Sequence, residues 1–120
     1  GLVMTTLDIL RREPDIRNYK QGDTIFRAGD PADCMYAVVE GSVEIRIHGS
    51  VIEQIAPGAV FGEMGLIDAQ PRSAEALAAT DCSLAVISEK RFLRLVEMMP
   101  QFALQMMRVI TQRLRRHDLS

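Results

Sequence analysis

Cysteine is scarce in this 120-residue chain, which contains only Cys34 and Cys82. Two cysteines without a CxxC spacing exclude a disulfide scaffold and an iron–sulfur site. Both lie among strand-forming apolar neighbours, which predicts buried free thiols in a cytoplasmic protein. Lysine is nearly absent too: Lys20 and Lys90 are the only two among 14 cationic side chains, and the rest are arginine. With no GxxxxGK and no GxGxxG, a P-loop and a dinucleotide fingerprint are both excluded. Long hydrophobic runs are missing. The longest, Cys34 to Val39, falls far short of the roughly 20 residues of a membrane span. No secretory signal pattern opens the chain, and Gly1-Leu2 in place of Met suggests a trimmed or engineered start. Neither sign of charge is in excess. Sixteen acids against fourteen bases give a net charge of -2, which excludes a polyanion-binding surface.

What is present describes one folded globular domain spanning residues 1–120. Apolar residues make up 48% and charged residues 25%, and a chain of this length buries about two-thirds of its unfolded surface. Glycine is uneven: Gly22, Gly29, Gly41, Gly49, Gly58, Gly62 and Gly65 fill the middle, and none follows Gly65. That predicts short strands with frequent reversals. Thr24–Arg27, Met35–Val39, the alternating Val43, Ile45 and Ile47, then Val51-Ile52 with Ile55, and Ser83–Ile87 read as strands, with a weaker one over Ala74–Ala79. His48-Gly49-Ser50 reads as a hairpin reversal, and His48 as an exposed strand residue.

Helices bracket the β region. Val3, Leu7 and Leu10 take helical spacing before Pro14, predicting a helix over about 2–13 ahead of a β-barrel or roll over about 16–88. Ser88 is a good N-cap, with Glu89 in the first turn, for a helix over about 89–97 carrying Phe92, Leu93, Leu95 and Val96. Pro100 separates it from a longer helix over about 101–117. There Phe102, Ala103, Met106, Met107, Val109, Ile110 and Leu114 share an arc of roughly 160°, wide enough for core packing plus a partner contact. The architecture is therefore mainly β, a β-barrel or roll with a short helix before it and two helices after.

The chemistry concentrates in Phe61-Gly62-Glu63-Met64-Gly65-Leu66-Ile67-Asp68-Ala69-Gln70-Pro71-Arg72-Ser73-Ala74. Its glycines allow close backbone approach, and a helical turn after Gly62 presents unpaired N–H groups to an anion. Arg72 has a planar fork suited to two phosphate oxygens. Glu63 repels an anion, and an ionised carboxylate only accepts hydrogen bonds, so a ribose hydroxyl suits it. Phosphate donors beside a sugar acceptor describe a nucleotide. A plain Glu63–Arg72 ion pair closing the loop fits the same spacing.

FGEMGLIDAQPRSA resembles the phosphate-binding cassette of the cyclic nucleotide-binding domain family, found in catabolite-activator-type regulators, cyclic-nucleotide-dependent kinases and cyclic-nucleotide-gated channels. The likeness extends to Gly22–Asp30, to Met35–Val43 and to the final helices, and it implies the fold class α+β, mainly β: an antiparallel, jelly-roll-like β-roll with a short N-terminal helix, a one-turn helix near Glu63 in the cassette and two C-terminal helices. It implies that Glu63 accepts from the ribose 2′-hydroxyl, that Gly62 lets the chain approach the sugar-phosphate, and that Arg72 pairs with the exocyclic phosphate oxygen. Ser73 and the N–H groups of Ser73 and Ala74 add donors, and Phe61 and Met64 complete the expected site. No metal, other cofactor or catalytic residue is expected; the ligand is cAMP or cGMP.

In the family the last helix often lids the pocket, so Arg113 and His117, polar positions inside the apolar arc, are the candidates for a base contact. Both also fit a frayed final turn with their side chains in solvent, and Arg108, Arg113, Arg115 and Arg116 fit a cation-rich helix end favoured by the dipole. The resemblance implies a bacterial regulatory sensor that passes occupancy through its C-terminal helices to a transcriptional, channel or kinase effector, without itself contacting nucleic acid. The chain reads as an excised domain or a short stand-alone binder, and the wide arc admits a homodimer. The alternative is an interaction module that keeps the fold but has lost the ligand. The intact Glu63 and Arg72 count against it.

Overall fold

The structure, a computed structural model, describes residues 6–68 and 70–118. The chain forms two compact units, one through Ser88 and one from Glu89 onward. The first opens with helix α1 (Thr6–Arg11) and continues through strands β1 (Ile16–Tyr19), β2 (Thr24–Phe26), β3 (Cys34–Glu40), β4 (Val43–Ile47), β5 (Ser50–Ile55) and β6 (Val60–Phe61). A one-turn helix α2 (Met64–Ile67) precedes β7 (Glu75–Ala78) and β8 (Cys82–Ser88). Of the expected N-terminal helix, residues 1–5 lie outside the described residues. Leu10 is fully buried, and α1 packs on β3.

The strands pair into two antiparallel four-stranded sheets, ordered β1-β8-β3-β6 and β2-β7-β4-β5. This is the β-roll that the family resemblance implies, where glycine spacing and strand periodicity admit a barrel or a roll. Tyr36, Val38, Val43, Ile55, Phe61, Ala76, Ala78, Leu84 and Val86 fill its interior. Between β4 and β5, His48 and Gly49 both take positive φ (50° and 80°), as a two-residue hairpin with right-handed strand twist requires. His48 is therefore a turn residue rather than a strand residue. Cys82 is buried as expected, but Cys34 is only half-buried, because it starts β3 at the roll's end. Burial pushes the Cys82 thiol up, helped by the negative charges of Asp81 and Asp23. Strands β1 and β6 escaped the periodicity reading. The first is mostly exposed and the second has two residues, too few for a period to register.

Glu89–Met98 and Gln101–Asp118 form helices α3 and α4 of the second unit. The turn between them is closed by the Phe102 N–H donating to the Met99 carbonyl at 2.8 Å. Phe92 and Phe102 meet across it, ring centroids 5.6 Å apart. Phe102 and Met106 are buried, whereas Met107 and Leu114, in the same arc, are exposed. No helix among the described residues is long and apolar enough to cross a membrane.

Register places Tyr36 opposite Phe61, and the two rings stack with centroids 5.2 Å apart, a cross-strand aromatic pair. Burial pushes the Tyr36 phenol up, its hydrogen bond with Cys34 adds to this, and the Arg72 charge opposes it. A raised folded-state value favours the neutral phenol, so this stability is complete below the unfolded value of about 10 and is lost as pH rises beyond it. Denaturation midpoints measured from pH 8 to 11 should therefore fall more steeply for the wild type than for Tyr36→Phe above about pH 10. Parallel curves would contradict this.

Candidate functional site

Strand β6 ends at Phe61 inside the roll, and the chain turns sharply at Gly62 (φ +72°). Glu63 then enters α2 with helical backbone angles and no side-chain cap. The turn is held by N–H groups of Gly65 and Leu66 donating to the carbonyls of Gly62 and Glu63, at 3.2 and 3.0 Å. Beyond α2 the chain returns to Arg72, whose N–H donates to the Asp30 carbonyl while its own carbonyl accepts from Gly29 N–H, both at 2.8 Å. Position 72 is thereby bound to the turn that follows β2.

Arg72 and Glu63 are each 8% exposed. Charged side chains rarely reach that burial without partners, because desolvating an ion is costly. Arg72 Nη1 donates to the Gly62 carbonyl at 2.8 Å and Nη2 to the Cys34 carbonyl at 2.7 Å, with Cys34 Sγ at 3.7 Å. The guanidinium also lies over the Phe26 ring, 4.3 Å from its centroid. One side chain so ties together β2, β3 and the segment leading into α2. These partners are uncharged, so they satisfy N–H groups without cancelling the positive charge.

The two glycines are required by this approach. A Cβ on Gly62 would stand 2.8 Å from Arg72 Nη1. One on Gly65 would stand 2.9 Å from Ala32 Cβ, 3.1 Å from Arg72 Nη1 and 3.2 Å from the Cys34 carbonyl oxygen. Helix α2 therefore lies directly on the arginine and on the start of β3.

The expected residues separate by setting. Gly62 meets Arg72, and Glu63, next in the chain, is as deeply buried as Arg72. Phe61 belongs to the core through its ring and adjoins Gly62 through its backbone. Met64 and Ser73 are exposed and Ala74 is half-buried, flanking Arg72 and α2. Arg113 is half-buried on α4 of the second unit, and the His117 side chain lies outside the described residues. Phe26 and Cys34 were missed as site residues. Lying 46 and 38 positions before Arg72, they reach it only through sheet pairing, for which local spacing carries no signal.

A family model described as the cyclic nucleotide-binding domain matches residues 16–98, from β1 through α3. The chain belongs to the cyclic nucleotide-binding domain family. The cyclic AMP receptor protein of Thermus thermophilus is 34% identical over 99% of this chain and 57% of its own length. The crystal structure of the Thermus thermophilus catabolite activator protein superposes with a TM-score of 0.83 at 32% identity, covering 99% of this chain and 58% of that one. A structure from a cyclic-GMP-dependent signalling pathway regulating bacterial phytopathogenesis gives a TM-score of 0.80 at 28% identity, covering 97% and 98%. The chain thus spans little more than half of the cyclic AMP receptor protein it matches. In this cyclic nucleotide-binding domain, the segment Phe61–Ala74 that carries the family resemblance is also the one that buries Glu63 and Arg72.

The glycine contacts give a test. In an unhindered helix, Gly→Ala stabilises by up to about 1 kcal/mol. Gly65→Ala should instead destabilise by about 1–3 kcal/mol, the range for overpacking, because Ala32 Cβ and a backbone carbonyl cannot swing aside. Urea denaturation measures it, and a stabilised variant would contradict the close packing of α2.

Proposed function

We propose that this chain is a regulatory domain that binds a cyclic nucleotide, cAMP or cGMP, at the segment Phe61–Ala74. The observation that carries the reading is the buried Arg72 guanidinium, held by uncharged partners. A cyclic phosphodiester carries one negative charge, which one such arginine matches without a metal. Arg72 contacts the exocyclic phosphate oxygen. Ser73 Oγ and the N–H groups of Ser73 and Ala74 add donors, Gly62 lets the backbone approach, and Glu63 accepts from the ribose 2′-hydroxyl. Phe61 and Met64 border the ligand, and Arg113 and His117 are the candidates for the base.

Binding acts as a population shift: the nucleotide favours whichever arrangement of the C-terminal helices it binds more tightly, and by that differential affinity alone. The effector is a transcriptional, channel or kinase module, and the setting is cytoplasmic. Names among the relatives support the ligand class, a cyclic AMP receptor protein and a cyclic-GMP-dependent pathway. No chemical step is proposed for the domain. Leu104, Met107 and Leu114 are exposed on α4 at helical spacing, the face through which a homodimer would form.

Calorimetry with cAMP and cGMP tests the assignment. Arg72→Ala should weaken binding by more than about 2 kcal/mol, the scale for removing one partner of a buried charge pair; unchanged affinity would sink it. The 2′-deoxy analogue isolates the role of Glu63. It should bind the wild type about tenfold more weakly, in line with one lost hydrogen bond to a charged group, and should not distinguish wild type from Glu63→Gln by as much as the parent nucleotide does. If neither nucleotide raises the melting temperature, the domain is an interaction module instead.

A further inference from the structure

Arg72 has an unusual environment for a buried cation. Its Nη atoms donate to two carbonyl oxygens, and Nε is buried with no hydrogen-bond partner among the described residues. The guanidinium carbon stands 4.3 Å from the Phe26 ring centroid and 5.7 Å from that of Tyr36. An aromatic face attracts a cation through the ring quadrupole while leaving its formal charge intact. A carboxylate would hold the same group at least as firmly, but would occupy the N–H groups that a phosphate needs.

The backbone delivers Phe26 to this place. Register is irregular in β2: Thr24 faces Leu77 and Phe26 faces Ala76, so two steps along β2 match one along β7. Such a bulge re-aims the side chains beside it, and Phe26 is buried in the roll interior. The following turn is closed by Asp30, whose Oδ2 accepts from Arg27 N–H at 2.9 Å. It is joined to Arg72 by the two backbone hydrogen bonds already described. Ring and guanidinium therefore rest on one connected piece of backbone. Tyr36 and Phe61 support the ring, with centroids 5.9 and 6.1 Å from it.

We propose that Phe26 is a positioning residue for the anion site, its ring face fixing the Arg72 guanidinium while leaving the charge free for phosphate. Phe26 acts through Arg72 and need not touch the nucleotide. The inference deepens the cyclic-nucleotide reading and rests on it.

The test replaces Phe26 by 3,5-difluorophenylalanine and by pentafluorophenylalanine, which keep the ring's packing while weakening its negative face. Affinity for whichever of cAMP and cGMP binds the wild type should fall stepwise, by about fivefold or more at full fluorination. The melting temperature should move little. Flat affinity across the series would overturn the proposal, because a ring acting by packing alone does not sense its own quadrupole. Phe26→Leu in a wild-type and in an Arg72→Gln background gives a second readout: a loss confined to the wild-type background supports the coupling, and equal losses refute it. If the wild type binds neither nucleotide, the functional reading fails separately. The positioning claim is then read from the Arg72 side-chain N–H resonances of the unliganded protein. An upfield ring-current shift that Phe26→Leu abolishes supports it, and unshifted resonances overturn it.

Discussion

A guanidinium held against the apolar interior of a β-roll sets conditions that everything near it must meet. Water is largely excluded from Arg72, so its N–H groups need acceptors and its charge needs a favourable field. The fold supplies both from uncharged parts. Carbonyls come from Gly62, just after β6, and from Cys34, the first residue of β3. The field comes from aromatic faces. Gly62 and Gly65 are the steric consequence, because any Cβ there would intrude on the arginine. Cassette glycines, strand ends and core aromatics are thus parts of one solution.

That solution suits the anion site proposed for Arg72. The carbonyls of Gly62 and Cys34 and the aromatic faces hold the cation without themselves cancelling its charge. The family assignment gives this local geometry its context: residues 16–98 match the cyclic nucleotide-binding domain, and the described geometry centres on Arg72 within that span.

Different parts of the molecule were legible in the sequence to different degrees. The longer strands could be read because their apolar residues and the glycines between them follow simple periods. The reversal after β4 was legible from Gly49, a residue suited to positive φ, whereas His48, also at positive φ, reads as a strand residue because it continues the alternation of β4. Strand β6 was not, since two residues carry no period, and neither was β1, whose side chains are mostly exposed. In β4 the alternation was sharper in sequence than in burial. Val43 is buried but Ile47, beside the hairpin turn, is exposed, because distance from the core matters as well as side.

For the site, residue types and local spacing nominated Glu63 and Arg72, since a carboxylate and a guanidinium on a glycine-bearing loop already limit the chemistry. The sequence by itself determined a mainly β barrel or roll, the helices around it and the two charged residues that carry the proposed ligand chemistry, because those depend on period, turn preference and side-chain type. Tertiary structure alone decided what surrounds Arg72. Phe26, Cys34 and Tyr36 meet it through strand register and a bulge, and pairing between distant segments is a property of the folded sheet that no local stretch of chain encodes.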